Sequence, residues 1–389
     1  MIKADRSKYP EITGEDPGID LDSRKFIKVW QGPQHPGITG NMSLELIISG
    51  DEVVNCKTHV GYLHRGFEKL MERRLYIQNF PIVCRICVPE PDFNEYLYAA
   101  CVEKLAEIEV PPKALWLRTL SLEMARLTSF LMWLGGQAGA FGMGTIGQWT
   151  VVHRDYMLDL FEQLSGGRIY HMYIIPGGVR DRLPDGYKKD VESVLLKVEK
   201  LLKEIELVLF HNAVFKSRAK GLGVIDPKII DEYGITGPNQ RAAGIARDLR
   251  KDQPCLVYPE LDFSIITGTA SDAYERAWIR YEEMHQSISL IRQILKKMPL
   301  KGEIHTRLPN VLHWKISPGK IYLKAECTRG EYGYYMESDG SQYPRRVYVR
   351  GPSYTHAVAL MEKLAVNTNI ADIAGLMVSL HTYPPEVER

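Results

Sequence analysis

The middle of the chain carries long stretches with the apolar spacing of α-helices, and these stretches limit the possible folds more than any other feature. Residues 113–133, 184–214 and 272–297 repeat apolar side chains at helical intervals, and each has a proline at or near one end. Helices of this length bury their apolar faces most simply against one another. The sequence therefore predicts a helical bundle at the centre of the fold.

Segments of β-type composition lie toward both ends of the chain. They are residues 26–30, 42–49 and 52–57 on the N-terminal side, and residues 320–327, 331–337 and 346–349 on the C-terminal side. Shorter helices are predicted at residues 95–108, 150–165, 356–366 and 371–379. We therefore expect an α+β fold with a dominant helical bundle and small N-terminal and C-terminal β regions. A polar arm, residues 1–26, is expected to precede a single domain of residues 27–389.

The charge balance and the hydropathy pattern exclude several classes of protein. Lys and Arg number 49 against 48 Asp and Glu, so the net charge is +1, and the basic excess of a nucleic-acid-binding protein is missing. No window supplies the roughly 20 uncharged apolar residues of a spanning helix. The first residues lack the apolar core of a secretory signal. We expect no nucleic-acid partner, no membrane insertion by this chain itself, and a cytoplasmic location.

A run of six glycines between residues 135 and 147 invites comparison with phosphate-binding loops. The run follows a helical segment, however, and matches neither G-x-G-x-x-G after a strand nor the P-loop pattern. We interpret these glycines as positions where helices approach closely or where the chain bends.

The cysteines contain one spaced pair, Cys84-x-x-Cys87, among six in the chain. Such a pair suits thiolate ligation of a metal, a redox dithiol, or no chemistry at all. A second C-x-x-C pair, which a four-thiolate site would need, does not occur. Arg85 between the two cysteines favours the thiolate form, and Glu90 and Asp92 follow closely. The pair alone leaves all three interpretations open.

A second polar cluster lies before the cysteine pair. It consists of residues 32–36 (Gly-Pro-Gln-His-Pro) and residues 59–68, which contain His59, His64, Arg65 and Glu68. Each histidine taken singly fits a hydrogen-bonded structural group. Their concentration, together with an arginine and a carboxylate, indicates a functional site.

Several long motifs in one order carry a resemblance to a known family. The motifs are residues 32–36, 59–69, 174–179 (Ile-Ile-Pro-Gly-Gly-Val), 248–251 (Asp-Leu-Arg-Lys), 331–335 (Glu-Tyr-Gly-Tyr-Tyr) and 338–340 (Ser-Asp-Gly). From about residue 27 to the C-terminus the chain resembles the large quinone-site subunit of respiratory complex I and of the group 4 membrane-bound nickel–iron hydrogenases. The resemblance implies the fold of a nickel–iron hydrogenase large subunit.

The hydrogenases of this family hold nickel and iron with two C-x-x-C pairs. The present chain keeps the first pair, Cys84 and Cys87, but Tyr383 and Glu386 stand at the positions of the second. Two thiolates cannot hold the centre that four normally hold. We therefore expect no nickel–iron centre, and in fact no cofactor bound by this chain.

The complex I branch binds and protonates the quinone headgroup with a histidine and a tyrosine. At the corresponding positions the chain has Thr39 and Val88. Threonine still forms hydrogen bonds but does not act as the cationic proton donor that a protonated histidine is, and valine does neither. Quinone reduction by the usual pair of residues is therefore disfavoured.

A chain with one cysteine pair and without the histidine–tyrosine couple resembles a third branch, the membrane-bound sulfane sulfur reductases of sulfur-reducing archaea. The resemblance implies electrons from ferredoxin, a [4Fe-4S] cluster in a neighbouring small subunit, and reduction of polysulfide. It further implies other peripheral-arm subunits and membrane-arm subunits that pump ions, with this chain held peripherally on the cytoplasmic side of the membrane. Two alternatives stay open: an NAD(P)H- or ferredoxin-linked quinone oxidoreductase subunit with a modified quinone site, and a non-catalytic coupling scaffold.

The resemblance and the residue chemistry together give a set of candidate site residues. The predicted catalytic residues are Cys84, Cys87, Arg85, His64 and Glu68. The residues predicted to line the substrate cavity are Arg65, His35, Thr39, Val88, Glu90, Asp92, His381 and Tyr383. Arg85 and Arg65 are expected to attract an anionic polysulfide, and His64 and Glu68 to carry protons.

Overall fold

A computed structural model of the protein describes residues 25–35 and 41–389, and its central feature is a set of long packed helices. The longer helices are α3 (Pro91–Leu105), α4 (Pro112–Ala140), α5 (Gly144–Ser165), α6 (Tyr187–Ile205) and α11 (Ala273–Lys297). Helix α4 packs against both α5 and α11, and α5 also packs against α6. The predicted helical bundle is therefore present.

Shorter helices surround the bundle. They are α1 (Phe67–Met71), α2 (Phe80–Val83), α7 (Ala213–Ala219), α8 (Pro227–Tyr233), α9 (Pro238–Ala242), α10 (Leu249–Asp252), α12 (Met361–Ala365), α13 (Ile373–Ser379) and α14 (Pro384–Glu388). Among the described residues, none of the helices combines the length and the apolar character that crossing a bilayer requires.

Within residues 25–35 and 41–389, three small antiparallel sheets accompany the helices. The strands are β1 (Ile27–Gln31), β2 (Ser43–Ser49), β3 (Glu52–His59), β4 (Ile174–Ile175), β5 (Gly178–Val179), β6 (Gly319–Cys327), β7 (Gly330–Ser338) and β8 (Arg346–Arg350). They form the sheets β1-β2-β3, β4-β5 and β6-β7-β8, each in sequence order. The α+β class with small β regions toward both ends is confirmed.

The glycine run spans the end of α4, the turn that contains Gly142 and the start of α5, and it lets these helices approach closely, as predicted. Gly135 on α4 lies opposite Gly147 on α5, and a Cβ added to Gly135 would lie 3.1 Å from the Gly147 Cα. Helix α4 consequently continues to Ala140, beyond the end at residue 133 that the sequence suggested. Tight packing against α5 supplies the stability that a glycine-containing helix end lacks by itself.

Two predicted segments differ from the structure. The single helix predicted over 184–214 is interrupted after α6 by a π-helical turn, Glu206–Phe210, and Asn212 then caps a new helix by accepting hydrogen bonds from the backbone of Val214 and Phe215. The tail beginning at Pro384 is a short helix, because proline is well suited to the first turn. Of the predicted arm, residues 1–24 lie outside the described residues, and the single-domain assignment stays a prediction.

Packing around α3 fixes the position of the cysteine pair. Helix α3 contacts strands β6 and β7 as well as α4, and the loop between α2 and α3 carries Cys84 and Cys87. On the other side, the N-terminal sheet packs against α12, where the carboxylate of Glu362 accepts hydrogen bonds from the backbone and the hydroxyl of Thr58. The cysteine loop is therefore held between the bundle and the C-terminal sheet.

Candidate functional site

The loop between α2 and α3 turns both cysteine side chains into the interior. Cys84 is the C-terminal cap of α2, and consecutive turns follow, with the Arg85 N–H bonded to the Ile82 carbonyl at 3.0 Å and the Glu90 N–H bonded to the Cys87 carbonyl at 3.3 Å. Both cysteine side chains are completely buried and unbridged. The pair therefore forms part of an internal site and is not a surface dithiol.

Arg329 connects the cysteine loop to the C-terminal segment. It lies in the connection between β6 and β7, and its Nη2 lies 2.8 Å from the Cys87 Sγ and 2.6 Å from the Glu90 Oε2. The same Nη2 is 3.0 Å from the Glu386 Oε2. The opposite oxygens of these carboxylates accept backbone N–H groups, of Thr328 for Glu90 and of Ser353 for Glu386.

Sequence reasoning missed Arg329. The sequence offered one signal, the position of this arginine two residues before the 331–335 motif, but its contact with Cys87 spans 242 positions. No periodicity or spacing predicts a contact over that separation.

Burial dominates the protonation of the two thiols. It raises the pKa of Cys84 to about 12, although Glu95 adds to this shift and the Arg85 Nη1, 3.2 Å from the sulfur, opposes it. Burial likewise raises the pKa of Cys87 well above its usual value, against the opposing charge of Arg329. Arg85 thus acts in the predicted direction but is outweighed, and both groups are neutral thiols near pH 7.

A cavity of about 280 Å³ adjoins this cluster. Its lining residues are Pro89, Ser129, Met132, Trp133, Gly136, Arg329, Val378, His381, Thr382 and Tyr383. His381 packs beside Trp133, with ring centres 5.7 Å apart, and burial and nearby arginines lower its pKa well below the usual value. The cavity therefore combines mostly apolar walls with one guanidinium group and a neutral imidazole.

Arg65 joins the cysteine loop to the C-terminal helix. Its Nη1 donates to the Arg85 carbonyl at 2.7 Å and its Nη2 to the Pro385 carbonyl at 3.2 Å. The Arg85 guanidinium lies over the ring of Tyr170, 4.3 Å from its centre. Both arginines lie beside the cysteine pair, but neither lines the 280 Å³ cavity.

His64 and Glu68 lie at a different cavity, of about 460 Å³, which shares no lining residue with the first. The His64 Nδ1 hydrogen-bonds the Glu388 carbonyl, and the Glu68 carboxylate pairs with Arg346 and Arg389 at 3.1 and 2.7 Å. The structure does not bring these two residues to the cysteine pair. Their predicted role as proton carriers stays a prediction.

The remaining predicted residues are distributed around the cysteine loop or away from it. Glu90 contacts the Arg329 guanidinium directly, and the Tyr383 ring centre lies 5.8 Å from the guanidinium carbon of Arg329. Val88 is half-buried in the same loop, and His35 is exposed at the end of the first described segment. Thr39 lies outside the described residues.

Asp92 forms a separate buried pair. One carboxylate oxygen accepts a hydrogen bond from the hydroxyl of Ser121, and the other lies 2.8 Å from the His171 Nδ1. The His171 ring stacks on Phe161 at a centre-to-centre distance of 3.7 Å. Asp92 therefore anchors the start of α3 and does not line the 280 Å³ cavity.

The residues at this site do not fit a nickel–iron centre. Tyr383 and Glu386 stand where the resemblance places further thiolates, and the guanidinium of Arg329 lies between Cys87 and Glu386. A bound cation there would meet the positive charge of Arg329 at close range. Within the described residues, His, Cys, Asp and Glu form no group of three or more arranged to hold a metal ion.

Comparison with known proteins identifies relatives along nearly the full chain. The family model of the 49 kDa subunit of respiratory-chain NADH dehydrogenase matches residues 140–315 and 307–389. An NADH-quinone oxidoreductase subunit of Thermosipho melanesiensis is 42% identical over 93% of this chain and 99% of its own length. An F420H2 dehydrogenase subunit of Methanosarcina mazei is 37% identical over 95% of this chain and 99% of its own length.

A solved structure shares both fold and sequence. A chain of the membrane-bound sulfane sulfur reductase, an archaeal respiratory membrane complex, aligns with a TM-score of 0.92 and 41% identity, covering 95% of this chain and 100% of that one. Together with the sequence relatives, this likeness confirms the resemblance inferred from the motifs. The chain belongs to the family of the 49 kDa subunit of respiratory-chain NADH dehydrogenase, the large subunit of complex I-like oxidoreductases.

Proposed function

We propose that the chain is the large subunit of a complex I-like respiratory complex that reduces the sulfane sulfur of polysulfides. In this proposal a neighbouring small subunit carries a [4Fe-4S] cluster that delivers electrons from ferredoxin. Other peripheral-arm subunits and ion-pumping membrane-arm subunits complete the complex, and the chain lies peripherally on the cytoplasmic side of the membrane. The chain itself binds no cofactor and forms the wall of the substrate cavity.

The observation that carries this proposal is the convergence of Cys87 and two carboxylates on Arg329, with no second C-x-x-C pair in the sequence. Cys87, Glu90 and Glu386 all contact the Nη2 of this arginine. Such a site suits recognition of a small anion better than ligation of a metal. The sulfane sulfur reductase is also among the relatives that this chain matches over most of its length.

Reduction of one S–S bond in a polysulfide consumes two electrons and leaves two sulfur-terminated fragments, which take up protons from water or from nearby acids. The partner's cluster supplies the electrons when the complex is assembled. The chain's own residues bind the polysulfide and exclude water. Cys84 and Cys87 are neutral buried thiols, so attack by either of them on the S–S bond would first require loss of a proton at a raised pKa.

A quinone oxidoreductase with a modified quinone site is the second candidate function. The 42% identity to a subunit of an NADH-quinone oxidoreductase favours it. Against it stands Val88, an apolar residue where the resemblance assigns a tyrosine. A non-catalytic coupling scaffold is the third candidate.

The test is electron transfer through the purified intact complex, with reduced ferredoxin as donor and either polysulfide or a water-soluble quinone as acceptor. We expect rapid sulfide release with polysulfide and slow turnover with quinone. Preferred turnover of quinone would support the second candidate instead. If neither acceptor accelerates ferredoxin oxidation, the scaffold interpretation gains support.

The role of the cysteine pair needs its own variant. In Cys84→Ser/Cys87→Ser, unchanged polysulfide turnover with unchanged cluster content would assign the pair to packing. Loss of turnover with clusters that are still reducible would assign sulfur chemistry to this chain. Cys56→Ser, at a buried cysteine in the N-terminal sheet, is the matched control.

A further inference from the structure

A cavity of about 460 Å³, separate from the one at His64, opens where helices α4 and α6 begin. Among its described lining residues are four cations, Lys113, Arg182, Lys188 and Lys189, and one carboxylate, Asp185. We refer to it as the basic cavity. Gly136, near the other end of α4, lines the 280 Å³ cavity, so the two cavities lie about 35 Å apart along that helix. The basic cavity is therefore remote from the cysteine loop.

Three of the lysines stand where a helix is least tolerant of positive charge. Lys113 is in the first turn of α4, and Lys188 and Lys189 are in the first turn of α6. The N-terminal end of a helix carries partial positive charge, which repels cations and favours carboxylates. Within residues 25–35 and 41–389, none of these lysines pairs with a carboxylate. The chain as a whole has a net charge of only +1, so this excess of positive charge is local.

Two of these lysines are held in place by the end of α11 and the connection that follows it. The Lys188 Nζ donates to the Leu295 carbonyl and the Lys113 Nζ donates to the Leu300 carbonyl, both at 2.7 Å. A lysine ammonium has three N–H donors, so each retains donors for a partner. Because the side chains are already ordered, binding a carboxylate there costs less conformational entropy than binding it to free lysines.

The other cation, Arg182, has only a weak partner within the described residues. Its Nη2 lies 3.9 Å from the Glu303 Oε2, and both side chains are more than half exposed. Exposed ion pairs at such a separation contribute little. Arg182 is therefore available to a second carboxylate.

Leu300 adds an apolar contact beside these cations. It lines the same cavity, follows α11 and is 83% exposed. Protein–protein interfaces commonly combine an apolar anchor with a polar rim that contains arginine. A lipid surface fits less well, because binding to it requires a whole apolar helix face, and the neighbouring Met298 is buried. The combination favours a protein partner.

We infer that the basic cavity is a docking surface for an acidic segment of another subunit of the complex. Arg182, Lys188 and Lys189 bind the carboxylates of this segment, and Leu300 contacts an apolar side chain of it. The inference rests on the part of the proposed function that places other subunits around this chain, and it is independent of the acceptor that the complex reduces. Support comes from the relatives, which are themselves subunits or chains of multisubunit oxidoreductases.

The first test is carbodiimide coupling in the purified intact complex, which joins a lysine amine to a carboxylate that it contacts. Peptide mass spectrometry identifies both residues. We expect Lys188 or Lys189 to be joined to an Asp or Glu of another subunit. Acylation of amines in the same complex should modify Lys189 about tenfold more slowly than Lys200, which is exposed further along α6. Equal acylation of the two lysines, or coupling only within this chain, would overturn the inference.

The second test reverses one charge. Lys189→Glu places a carboxylate in the first turn of α6, where the helix favours it, so folding is preserved. We expect acylation of Lys188 to become about threefold faster than in the control Lys200→Glu. Changing the coupled carboxylate of the partner to lysine in the same complex should restore the slow rate. Unchanged acylation of Lys188 in Lys189→Glu would contradict the docking of an acidic segment.

The outcomes separate this inference from the proposed function. If coupling joins Lys188 or Lys189 to another subunit but polysulfide is not reduced, the docking surface stands and the proposed reaction fails. If polysulfide is reduced while Lys189 reacts as fast as Lys200, the reaction stands and the inference is wrong. If a salt wash exposes Lys189 with every subunit retained, and inorganic pyrophosphate protects it again, the occupant is a small phosphate-bearing molecule and the inference is also wrong.

Discussion

Arg118 and Glu103 face each other in the interior of the protein, with the Nη1 of Arg118 3.0 Å from the Oε2 of Glu103. Together they hold the β4-β5 hairpin. Arg118 also donates to the carbonyls of Ile175 and Gly178, both at 2.9 Å, and the Gly177 N–H donates to Glu103 at 2.7 Å. This one ion pair thus supplies hydrogen-bond partners to three backbone groups of the 174–179 motif.

Replacing Glu103 by Gln should destabilise the subunit strongly. The change leaves the buried Arg118 without its carboxylate, and removing one partner of a buried ion pair costs about 3–5 kcal/mol. The measurement is the urea concentration at which the subunit unfolds in the purified complex. Lys69→Ala, in an exposed pair with Glu72, is the control and should leave the midpoint unchanged. Equal midpoints for both variants would contradict the prediction.

Gly135→Ala should destabilise the packing of α4 on α5. A new Cβ would overlap the Thr150 hydroxyl, which bonds the Gly147 carbonyl, and would press on the Gly147 Cα. Overpacking of this kind costs about 1–3 kcal/mol and outweighs the better helix propensity of alanine. Gly139→Ala on the same helix meets no atom within 4 Å and should raise stability by about 0.5–1 kcal/mol. Thermal melting of the two variants gives the comparison, and a rise in Tm for both would count against close helix approach.

Stability should fall as pH rises through the range in which Glu95 and His171 titrate. Burial, together with Asp92, raises the pKa of Glu95 from 4.5 to about 7. Burial alone would lower the pKa of His171, but Asp92 and Glu95 raise it. In both cases the folded state binds the proton more tightly than the unfolded state does, so stability is greatest below the unfolded pKa and is lost as pH rises through the folded one.

The variant Glu95→Gln isolates one of these protons. We expect its stability, relative to that of the unmodified complex, to increase from pH 5 to pH 7, by at most ~1.4 kcal/mol per pH unit. Thermal melting at each pH gives the comparison, and the difference between the two proteins removes the contributions of other groups. A difference that is constant over this range would show that Glu95 is ionised throughout it.

The purified complex should contain no stoichiometric nickel. The donors available beside Cys84 and Cys87 are a phenol and a carboxylate, and Arg329 occupies the space between Cys87 and Glu386. Elemental analysis by mass spectrometry, with iron measured in the same sample as the reference, checks the prediction. Nickel at one atom per complex, or hydrogen evolution from a reduced donor, would refute it.

Local features were readable from the sequence, and distant contacts were not. The long helix predicted at 272–297 is observed as Ala273–Lys297, because apolar periodicity and the Asp272 cap are both local signals. The break after Ile205 was missed, although Asn212 followed by apolar residues is a capping pattern. The family motifs indicated the cysteine loop and Tyr383 as parts of one site.

Adjacency in the sequence did not predict which residues lie at the cysteine loop. His64 and Arg65 are adjacent, yet Arg65 supports the cysteine loop while His64 lines another cavity. Arg329 reaches Cys87 only because β6 and β7 pack on α3. Contacts of this kind depend on tertiary packing, which spacing does not encode.

The bonds of Arg65 and Glu388 have a consequence for the order in which the subunit is made. Arg65 contacts the carbonyl of Pro385, 320 positions later, and Gly61 contacts Glu388 across 327 positions. The helices of the bundle can form while the ribosome is still translating, but the cysteine loop is clamped only after residues 381–389 have emerged. A nascent chain that does not yet include residues 385–388 therefore lacks both of these bonds.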